Sequence, residues 1–269
     1  MFEQETSIAF NGPLADNIWF MGLKSDEIAA AALPGQFVMI RVRDGLDPLL
    51  RRPFSICGTK EGLILVLYRI IGGGTRIMAS LKSGEGVCVL GPLGKGFDLP
   101  RPEHTPLIVG GGIGIAPLCF LAQKVRTLPV PIMMGAASPK EVIPIEDMDI
   151  GLKGISIATD DGSKGHHGVV TDLLRVHLDE ESMGEQSIVY ACGPPPMLRK
   201  VAEMTMDGTP CQVSLEAAMA CGVGACQGCV VKAAQEEEKM WCHVCKEGPV
   251  FHVGQIDWLT HHSESQGPA

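Results

Sequence analysis

The sequence predicts a mixed β and α/β fold in three parts, which are an N-terminal β-barrel, a parallel-sheet α/β domain and a small cysteine-rich module. Short apolar or alternating segments, separated by Gly, Pro and Asp turns, predict barrel strands at 36–42, 63–68 and 87–91. After Pro100 the pattern changes, because compact apolar segments now alternate with helical stretches. Beyond residue 208 cysteines become frequent and the chain becomes irregular. We therefore expect domains at 1–101, 102–207 and 208–269.

The second part is predicted to be a parallel sheet because its strands and helices alternate. Strands are expected at 106–109, 130–134, 155–159 and 188–191, with helices at 115–125 and 168–177. In such sheets ligands bind in a crevice at the carboxyl ends of the strands. The sequence therefore predicts a ligand site on that edge.

Composition and charge narrow the range of partners. The net charge is -9 and Lys and Arg form no dense run, which argues against nucleic acid. The acidic start at Met1-Phe2-Glu3 is unlike a signal peptide, and no apolar stretch approaches the ~20 residues that span a bilayer. Neither a nucleic acid nor a membrane is expected as a partner, and a cytoplasmic location is expected.

Arg52, Pro53, Phe54 and Ser55 end a strand-like segment and suit a flavin. The guanidinium can bind a phosphate, the ring of Phe54 can flank a planar ring system, and the Ser55 hydroxyl can hydrogen-bond a ring nitrogen. Taken alone, the same four residues are as easily an ordinary strand end with a surface arginine.

A glycine run follows at Gly72, Gly73, Gly74 and Thr75, before a predicted short helix at 76–81. The free N–H groups at the start of a helix face outward and bind anions, so a pyrophosphate fits there. The alternative is a simple flexible turn.

A second glycine run follows the strand at 106–109 and opens a helix, which is the context of a dinucleotide-binding loop. It departs from the G-x-G-x-x-G pattern because a proline stands in the place of the third glycine, where the first helical turn tolerates it. No acidic residue is clearly placed for a ribose, so the choice between NAD and NADP stays open. The predicted binding residues are Gly110, Gly111, Gly112, Gly114 and Pro117.

Cys192, Gly193 and Pro194 form a second element of this crevice, since they follow the strand at 188–191. The thiol of Cys192 would face a bound nicotinamide. We predict Ser55 and Cys192 as the catalytic residues. For Cys192 considered alone, a buried structural thiol is the better interpretation.

The cysteines of the last part carry the strongest signal. Cys221-x4-Cys226-x2-Cys229 has the ligand spacing of a plant-type [2Fe–2S] cluster, and its glycines allow backbone amides to turn inward. A structural zinc site built from Cys226, Cys229, Cys242 and Cys245 is the rival, but it leaves Cys221 and the glycines unexplained. Spacing does not decide whether Cys242 or Cys245 is the fourth cluster ligand.

In this order, the motifs resemble the ferredoxin–NAD(P) reductase superfamily, and the cysteine module narrows the resemblance to the electron-transfer subunits of class 1B dihydroorotate dehydrogenases. The resemblance covers nearly the whole chain and includes 159–163 and 245–251. It implies an FAD-binding barrel, an NAD-binding parallel sheet and a [2Fe–2S] domain in which Cys245 is the fourth ligand. An arginine expected in many relatives is missing from 135–138.

The resemblance also implies a function. Electrons would pass between NAD(H) and a partner through FAD and the cluster, and the partner would be an FMN-containing catalytic subunit that oxidises dihydroorotate to orotate, in a heterotetramer with two of each subunit. A related redox subunit that serves a hydrogenase or a ferredoxin–NAD(P) transhydrogenase is the first alternative. A zinc-stabilised nucleotide-binding sensor is the second.

Overall fold

The computed structural model describes residues 1–128, 130–180, 186–206, 208–234 and 239–260. It confirms the predicted fold class, with a closed barrel followed by a largely parallel sheet and a small two-stranded unit. None of the described helices has both the length and the apolar character needed to cross a lipid bilayer.

The barrel is closed by six antiparallel strands in the order β1-β2-β5-β4-β3-β6. Closure pairs every strand on both sides and leaves no open edge. Its strands are β1 (Phe2–Ala15), β2 (Ile18–Lys24), β3 (Phe37–Arg41), β4 (Arg52–Lys60), β5 (Leu63–Arg69) and β6 (Gly86–Leu93). Two helices are inserted between its strands. Helix α1 (Asp26–Ala31), whose first turn is capped by the Ser25 hydroxyl, follows β2, and helix α2 (Gly73–Ser80) follows β5.

The α/β part alternates strands and helices as predicted. The elements are β7 (His104–Gly111), α3 (Ile115–Val125), β8 (Ile132–Ala136), β9 (Ile155–Thr159), β10 (His166–His167), α4 (Val170–Glu180), β11 (Gln186–Cys192), α5 (Pro195–Thr205) and β12 (Cys211–Ser214). Neighbouring strands in this set pair in parallel. The connection reverses direction between β7 and β11, so the crevice at their carboxyl ends is the topological switch point of the sheet.

The cysteine-rich part contributes three short strands, β13 (Val230–Lys232), β14 (Trp241–His243) and β15 (Val250–His252). β13 and β14 form an antiparallel pair, whereas β15 joins the edge of the large sheet, whose order is β10-β9-β8-β7-β11-β12-β15. β12 and β15 both lie after residue 208, so this part of the chain shares strands with the α/β sheet. The three domain ranges remain predictions.

Helix α3 packs against the barrel on one face and against the parallel sheet on the other. Nine of its eleven residues are buried, and the helix packs between the barrel and the parallel sheet. Phe120 is fully buried within the barrel core, whereas Leu118 and Leu121 belong to the core shared with the sheet. A helix that is apolar all round is a helix covered on all sides. The side chain of Gln123 completes the contact by accepting from the Thr59 N–H at 3.4 Å and donating to the Thr59 carbonyl at 3.2 Å.

The segment that leaves the barrel is held by the other two parts of the chain. The Asp98 N–H donates to Oε1 of Gln212 at 2.9 Å, and the Asp98 carbonyl accepts from the Tyr190 hydroxyl at 2.9 Å. Three residues earlier, the Lys95 N–H donates to the Gly248 carbonyl at 2.5 Å. Strands β11 and β12 and the turn before β15 therefore all bind this exit segment.

Replacing Phe120 by Ala should destabilise the protein by about 3–5 kcal/mol, because it opens a cavity where α3 enters the barrel core. The denaturant midpoint, followed by circular dichroism, measures the loss. Leu259→Ala is the control, since that side chain is 80% exposed and its change should stay within about 0.5 kcal/mol. Equal midpoints for the two variants would show that the barrel does not depend on α3.

Candidate functional site

The prediction that Arg52, Pro53, Phe54 and Ser55 end a strand is wrong, because they are the first residues of β4, which pairs with β3 and β5. The Arg52 guanidinium lies against the start of helix α2, where a Cβ on Gly74 would lie 2.7 Å from Nε and would displace the arginine side chain. The Arg52 side chain also donates to the Leu50 carbonyl. A cation and a helix N-terminus thus meet at one place, which is the arrangement that binds a phosphate or pyrophosphate.

The glycine run begins this helix. Helix α2 starts at Gly73, three residues before its predicted start, because the Thr75 hydroxyl accepts the N–H groups of Ile71 at 3.0 Å and Gly72 at 3.1 Å and closes the turn. No protein atom lies within 4 Å of a Cβ built on Gly72 or Gly73. The space above these glycines is therefore open to a ligand, whereas the Thr75 hydroxyl is used within the turn.

Pro53, Phe54 and Ser55 continue β4 beside this anion site. The ring of Phe54 packs edge-on against Tyr68, with centroids 5.9 Å apart, and Ser55 pairs with Phe37 across the strands. Phe54 and Ser55 are each partly exposed. A planar ring system can therefore reach them from outside, as the flavin interpretation requires.

The two glycine-containing loops of the α/β sheet touch at the switch point. A Cβ on Gly111 would lie 2.6 Å from Cδ of Pro194, and one on Gly114 would lie 2.6 Å from the Cys192 carbonyl oxygen. A Cβ on Gly193 would lie 3.0 Å from Cα of Gly111. The loops at 110–114 and 192–194 thus approach as closely as backbones can, and the structure brings the predicted dinucleotide residues together, with Gly110 at the strand end and Pro117 in the first turn of α3.

Cys192 lies under this crevice as a protonated thiol. It is 2% exposed, and burial, together with the negative charge of Glu216, raises its pKa well above the ordinary value, against a hydrogen bond with Ser214. Ser55 and Cys192 lie on different sheets, on β4 and on β11. Their predicted catalytic roles remain predictions.

Two charged residues at this crevice were not found from the sequence. Arg69 ends β5 and pairs with Glu141 at 3.5 Å, and Glu216 follows β12. Desolvation by surrounding protein raises the pKa of Glu216, and the charge of Arg69 opposes that rise. Neither residue lies in a recognisable motif, so only the folded contacts identify them.

The four predicted cluster ligands lie in two pairs. The Cys226 N–H donates to Sγ of Cys221 at 3.4 Å, and the Cys245 N–H donates to Sγ of Cys229 at 3.4 Å. A two-iron cluster needs two cysteines on each iron, and this pairing fits it. Within the described ranges, no three Cys, His, Asp or Glu side chains are placed to hold one metal ion.

Backbone amides point at these thiols. Cys221 Sγ accepts from the N–H groups of Val223 at 3.5 Å and Cys226 at 3.4 Å, and Cys245 Sγ accepts from Gly224 at 3.1 Å. Although desolvation acts in the opposite direction, the amides of Val223, Cys226 and Ala225 and the Cys226 thiol lower the pKa of Cys221 to about 6. Burial and the neighbouring Cys229 thiol instead raise the pKa of Cys245 to about 12. The loop therefore stabilises negative charge on the sulfur of Cys221.

The glycines of this loop are required by its geometry. Gly222 has φ +73°, and a Cβ there would lie 2.6 Å from Cγ of Met39 on barrel strand β3. Met39 pairs with Pro53 of the flavin strand β4. One residue of the barrel therefore separates the cluster loop from the predicted flavin residues.

Cys242 belongs to strand β14, where it pairs with Val231, whereas the four predicted ligands lie outside the strands. Its side chain packs against the core beneath the large sheet. Cys245 is buried beside Cys229, whose Sγ accepts the Cys245 N–H at 3.4 Å. The geometry favours Cys245 as the fourth ligand, which remains a prediction.

Comparison with known proteins identifies relatives of this chain. The model of the iron–sulfur cluster binding domain of dihydroorotate dehydrogenase B matches residues 216–257. The electron transfer subunit of dihydroorotate dehydrogenase B (NAD(+)) from Desulforamulus reducens is 38% identical over 251 residues, which is 91% of this chain and 94% of the relative. The subunit of the same name from Fusobacterium nucleatum is 37% identical over 260 residues, covering 94% of this chain and 98% of its own.

Solved structures share the fold. An NADH-dependent reduced ferredoxin-NADP oxidoreductase superposes with a TM-score of 0.80 at 28% identity and covers 94% of this chain and 90% of its own. Phthalate dioxygenase reductase superposes with a TM-score of 0.59 at 19% identity, with 90% and 94% of the two chains covered.

Replacing Arg52 by Ala should weaken FAD binding about tenfold to a hundredfold, because a charge-assisted phosphate contact contributes about 1.5–3 kcal/mol. The dissociation constant is measured by adding FAD back to flavin-free protein. Arg101→Ala, at a side chain that is 77% exposed in the linker, is the control. An unchanged constant for the Arg52 variant would remove that residue from the site.

Cys245→Ser should abolish or strongly alter the cluster signal, whereas Cys242→Ser should keep it, because Cys245 Sγ accepts from the Gly224 N–H of the cluster loop and Cys242 belongs to strand β14. The readouts are iron and sulfide content and the EPR spectrum of the reduced protein. The opposite pattern would make Cys242 the fourth ligand.

Proposed function

The chain belongs to the family of electron transfer subunits of dihydroorotate dehydrogenase B, and on that premise we propose that it carries electrons between NAD(H) and a catalytic subunit that oxidises dihydroorotate to orotate. We further propose that this catalytic subunit holds FMN and that the assembly contains two of each subunit. When bound, FAD and the [2Fe–2S] cluster supply hydride exchange with NAD(H) and the conversion from paired to single electrons.

The observation that carries the proposal is that helix α3 and Met39 link the elements that carry the three predicted sites. Gly114 of the dinucleotide loop leads directly into α3, and α3 packs on β4, whose first residues are the predicted flavin residues. On the other side of β4, Met39 separates Pro53 from Gly222 of the cluster loop. A path from dinucleotide to flavin to cluster thus runs through adjoining residues of one chain.

The residues of the chain have separate tasks along this path. Arg52 and the start of α2 bind the flavin phosphates, Phe54 and Ser55 orient its ring, and the loops at 110–114 and 192–194 hold the dinucleotide. The raised pKa of Cys192 keeps that thiol protonated, so it packs under the nicotinamide without adding a negative charge. The amides of 223–226 hold the cluster thiolates.

The cluster loop is the part of the path that reaches the surface. Residues 225–228 are exposed, Val223 is 41% exposed, and no charged residue occurs between 221 and 229. Interfaces have cores poor in charged residues, so we place the catalytic subunit on this loop.

A second candidate is electron transfer to a ferredoxin rather than to a dihydroorotate-oxidising subunit. The specific observation in its favour is the likeness to an NADH-dependent reduced ferredoxin-NADP oxidoreductase over 94% of the chain. NADH-driven reduction of a ferredoxin at the rate of the dihydroorotate reaction would favour it.

The purified chain should pass electrons from NADH to an artificial acceptor such as ferricyanide but should not oxidise dihydroorotate, because its described sites contain cofactor-binding residues only. The complex with the catalytic subunit should reduce NAD⁺ with dihydroorotate. Steady-state assays with each single subunit and with the complex measure this division. Dihydroorotate turnover by the single chain would contradict it.

A further inference from the structure

The side chain of Lys246 lies across the cluster loop, which is the segment at 221–229. A Cβ built on Gly224 would lie 2.9 Å from Cδ of Lys246 and 3.3 Å from its Cβ, so the aliphatic stem packs on the backbone of that glycine. Gly224 has φ +79°, and its N–H donates to Cys245 Sγ at 3.1 Å. The stem of Lys246 therefore covers a peptide group that binds a predicted cluster thiol, and the ammonium lies two bonds beyond Cδ.

The charges around Lys246 leave its ammonium uncompensated. The neighbouring carboxylate of Glu247 accepts the His243 N–H at 2.7 Å and lies 3.4 Å from Nζ of Lys239. Within the part of the chain that the structure describes, the exposed Lys246 forms no ion pair of its own. The loop at 221–229 contains no charged residue. The positive charge of Lys246 is therefore the side-chain charge that lies on the cluster loop.

A cation at this place acts on the redox equilibrium of a cluster bound there. Thiolates and sulfides make a [2Fe–2S] cluster negative, and its reduction adds one more negative charge. A nearby ammonium stabilises the reduced form more than the oxidised form, because the attraction grows with the charge on the cluster. Net charge close to a cluster is one of the properties that set its reduction potential. Lys246 has the sign and the position to raise that potential.

We propose that Lys246 raises the reduction potential of the [2Fe–2S] cluster and so favours the transfer of single electrons from reduced flavin to the cluster. The inference rests on the proposed function, which places the cluster on the cysteines of the loop and on Cys245. In this step the flavin loses the electron and the cluster gains it. Lys246 exchanges neither an electron nor a proton, and it acts through its charge alone.

Three substitutions at position 246 separate charge from packing. Lys246→Gln keeps most of the stem and removes the charge, and it should shift the equilibrium between reduced and oxidised cluster about threefold to tenfold toward the oxidised form, which is about 30–60 mV for one electron. Lys246→Arg keeps the charge and should keep the wild-type potential. Lys246→Glu reverses the charge and should lower the potential further than Lys246→Gln does.

Lys82→Gln is the charge-matched control, because it removes an exposed lysine at the far end of the barrel. Strand β6 runs from Gly86 to Leu93, and Cδ1 of Leu93 lies 3.3 Å from the position of a Cβ on Gly222 in the cluster loop. Lys82 precedes the other end of this strand. Eight strand residues span about 26 Å, which exceeds the Debye length of about 10 Å at 0.1 M salt. The Lys82 variant should therefore keep the wild-type potential.

The experiment is an anaerobic redox titration of the purified chain with bound FAD and cluster, in which the EPR signal of the reduced cluster reports the potential. Titrations at about 0.1 M and about 1 M salt test the electrostatic origin, since screening should shrink the difference between the wild type and Lys246→Gln. Flavin, iron and sulfide contents are measured for every variant and should equal those of the wild type.

A lower potential in Lys246→Gln, its recovery in Lys246→Arg and a smaller difference at high salt support the proposal. Equal potentials in the wild type and Lys246→Gln, a shift that high salt leaves unchanged, or loss of the cluster from Lys246→Gln would overturn it. A wild-type chain that contains no sulfide and gives no EPR signal on reduction would overturn the proposed function together with this inference. A wild type that holds the cluster, with a potential that does not depend on residue 246, overturns the inference alone.

Discussion

The burial of helix α3 between the barrel and the parallel sheet is the constraint on which the rest of the molecule depends. Phe120 fills the barrel core, while Leu118 and Leu121 fill the core shared with the sheet. Because the loop at 110–114 leads straight into this helix, a shift of α3 would move the dinucleotide loop relative to β4. Hydride exchange demands close and fixed approach of its two partners, and a helix with nine of its eleven residues buried would hold the predicted sites in such a fixed arrangement.

The cluster-binding part is fixed to the same frame by different means. The exit segment at 95–98 is bound by β11, β12 and the turn at Gly248, and the cluster loop rests on Met39. The last strand, β15, completes the edge of the large sheet. The three parts of the chain therefore form one packed body, in which the predicted flavin strand lies between the predicted dinucleotide loop and the predicted cluster loop.

Patterns within short stretches of the sequence predicted the elements that interactions between neighbouring residues determine. The bounds of α3 and β9 agree with the prediction, and the glycine positions 74, 111, 114 and 222 have neighbours that leave no room for a side chain. What the sequence could not supply were contacts between distant segments. Arg69 and Glu216 carry no motif, the insertion of Phe120 into the barrel has no local signature, and the return of β15 to the sheet follows from pairing across about forty residues. Helix α2 starts three residues before its predicted start. Glycine has a low helix propensity, but the Thr75 hydroxyl accepts two backbone N–H groups and closes the first turn.

We propose that one chain holds flavin and cluster in electronic contact with the dinucleotide site. The most direct test is an anaerobic titration of the purified chain with NADH, followed by its visible spectrum and accompanied by flavin, iron, sulfide and zinc analysis. We expect one FAD, two iron and two sulfide per chain, with the flavin and cluster absorption bands both bleached by NADH. Stoichiometric zinc without sulfide, or bleaching of the flavin while the cluster stays oxidised in the presence of excess NADH, would contradict it.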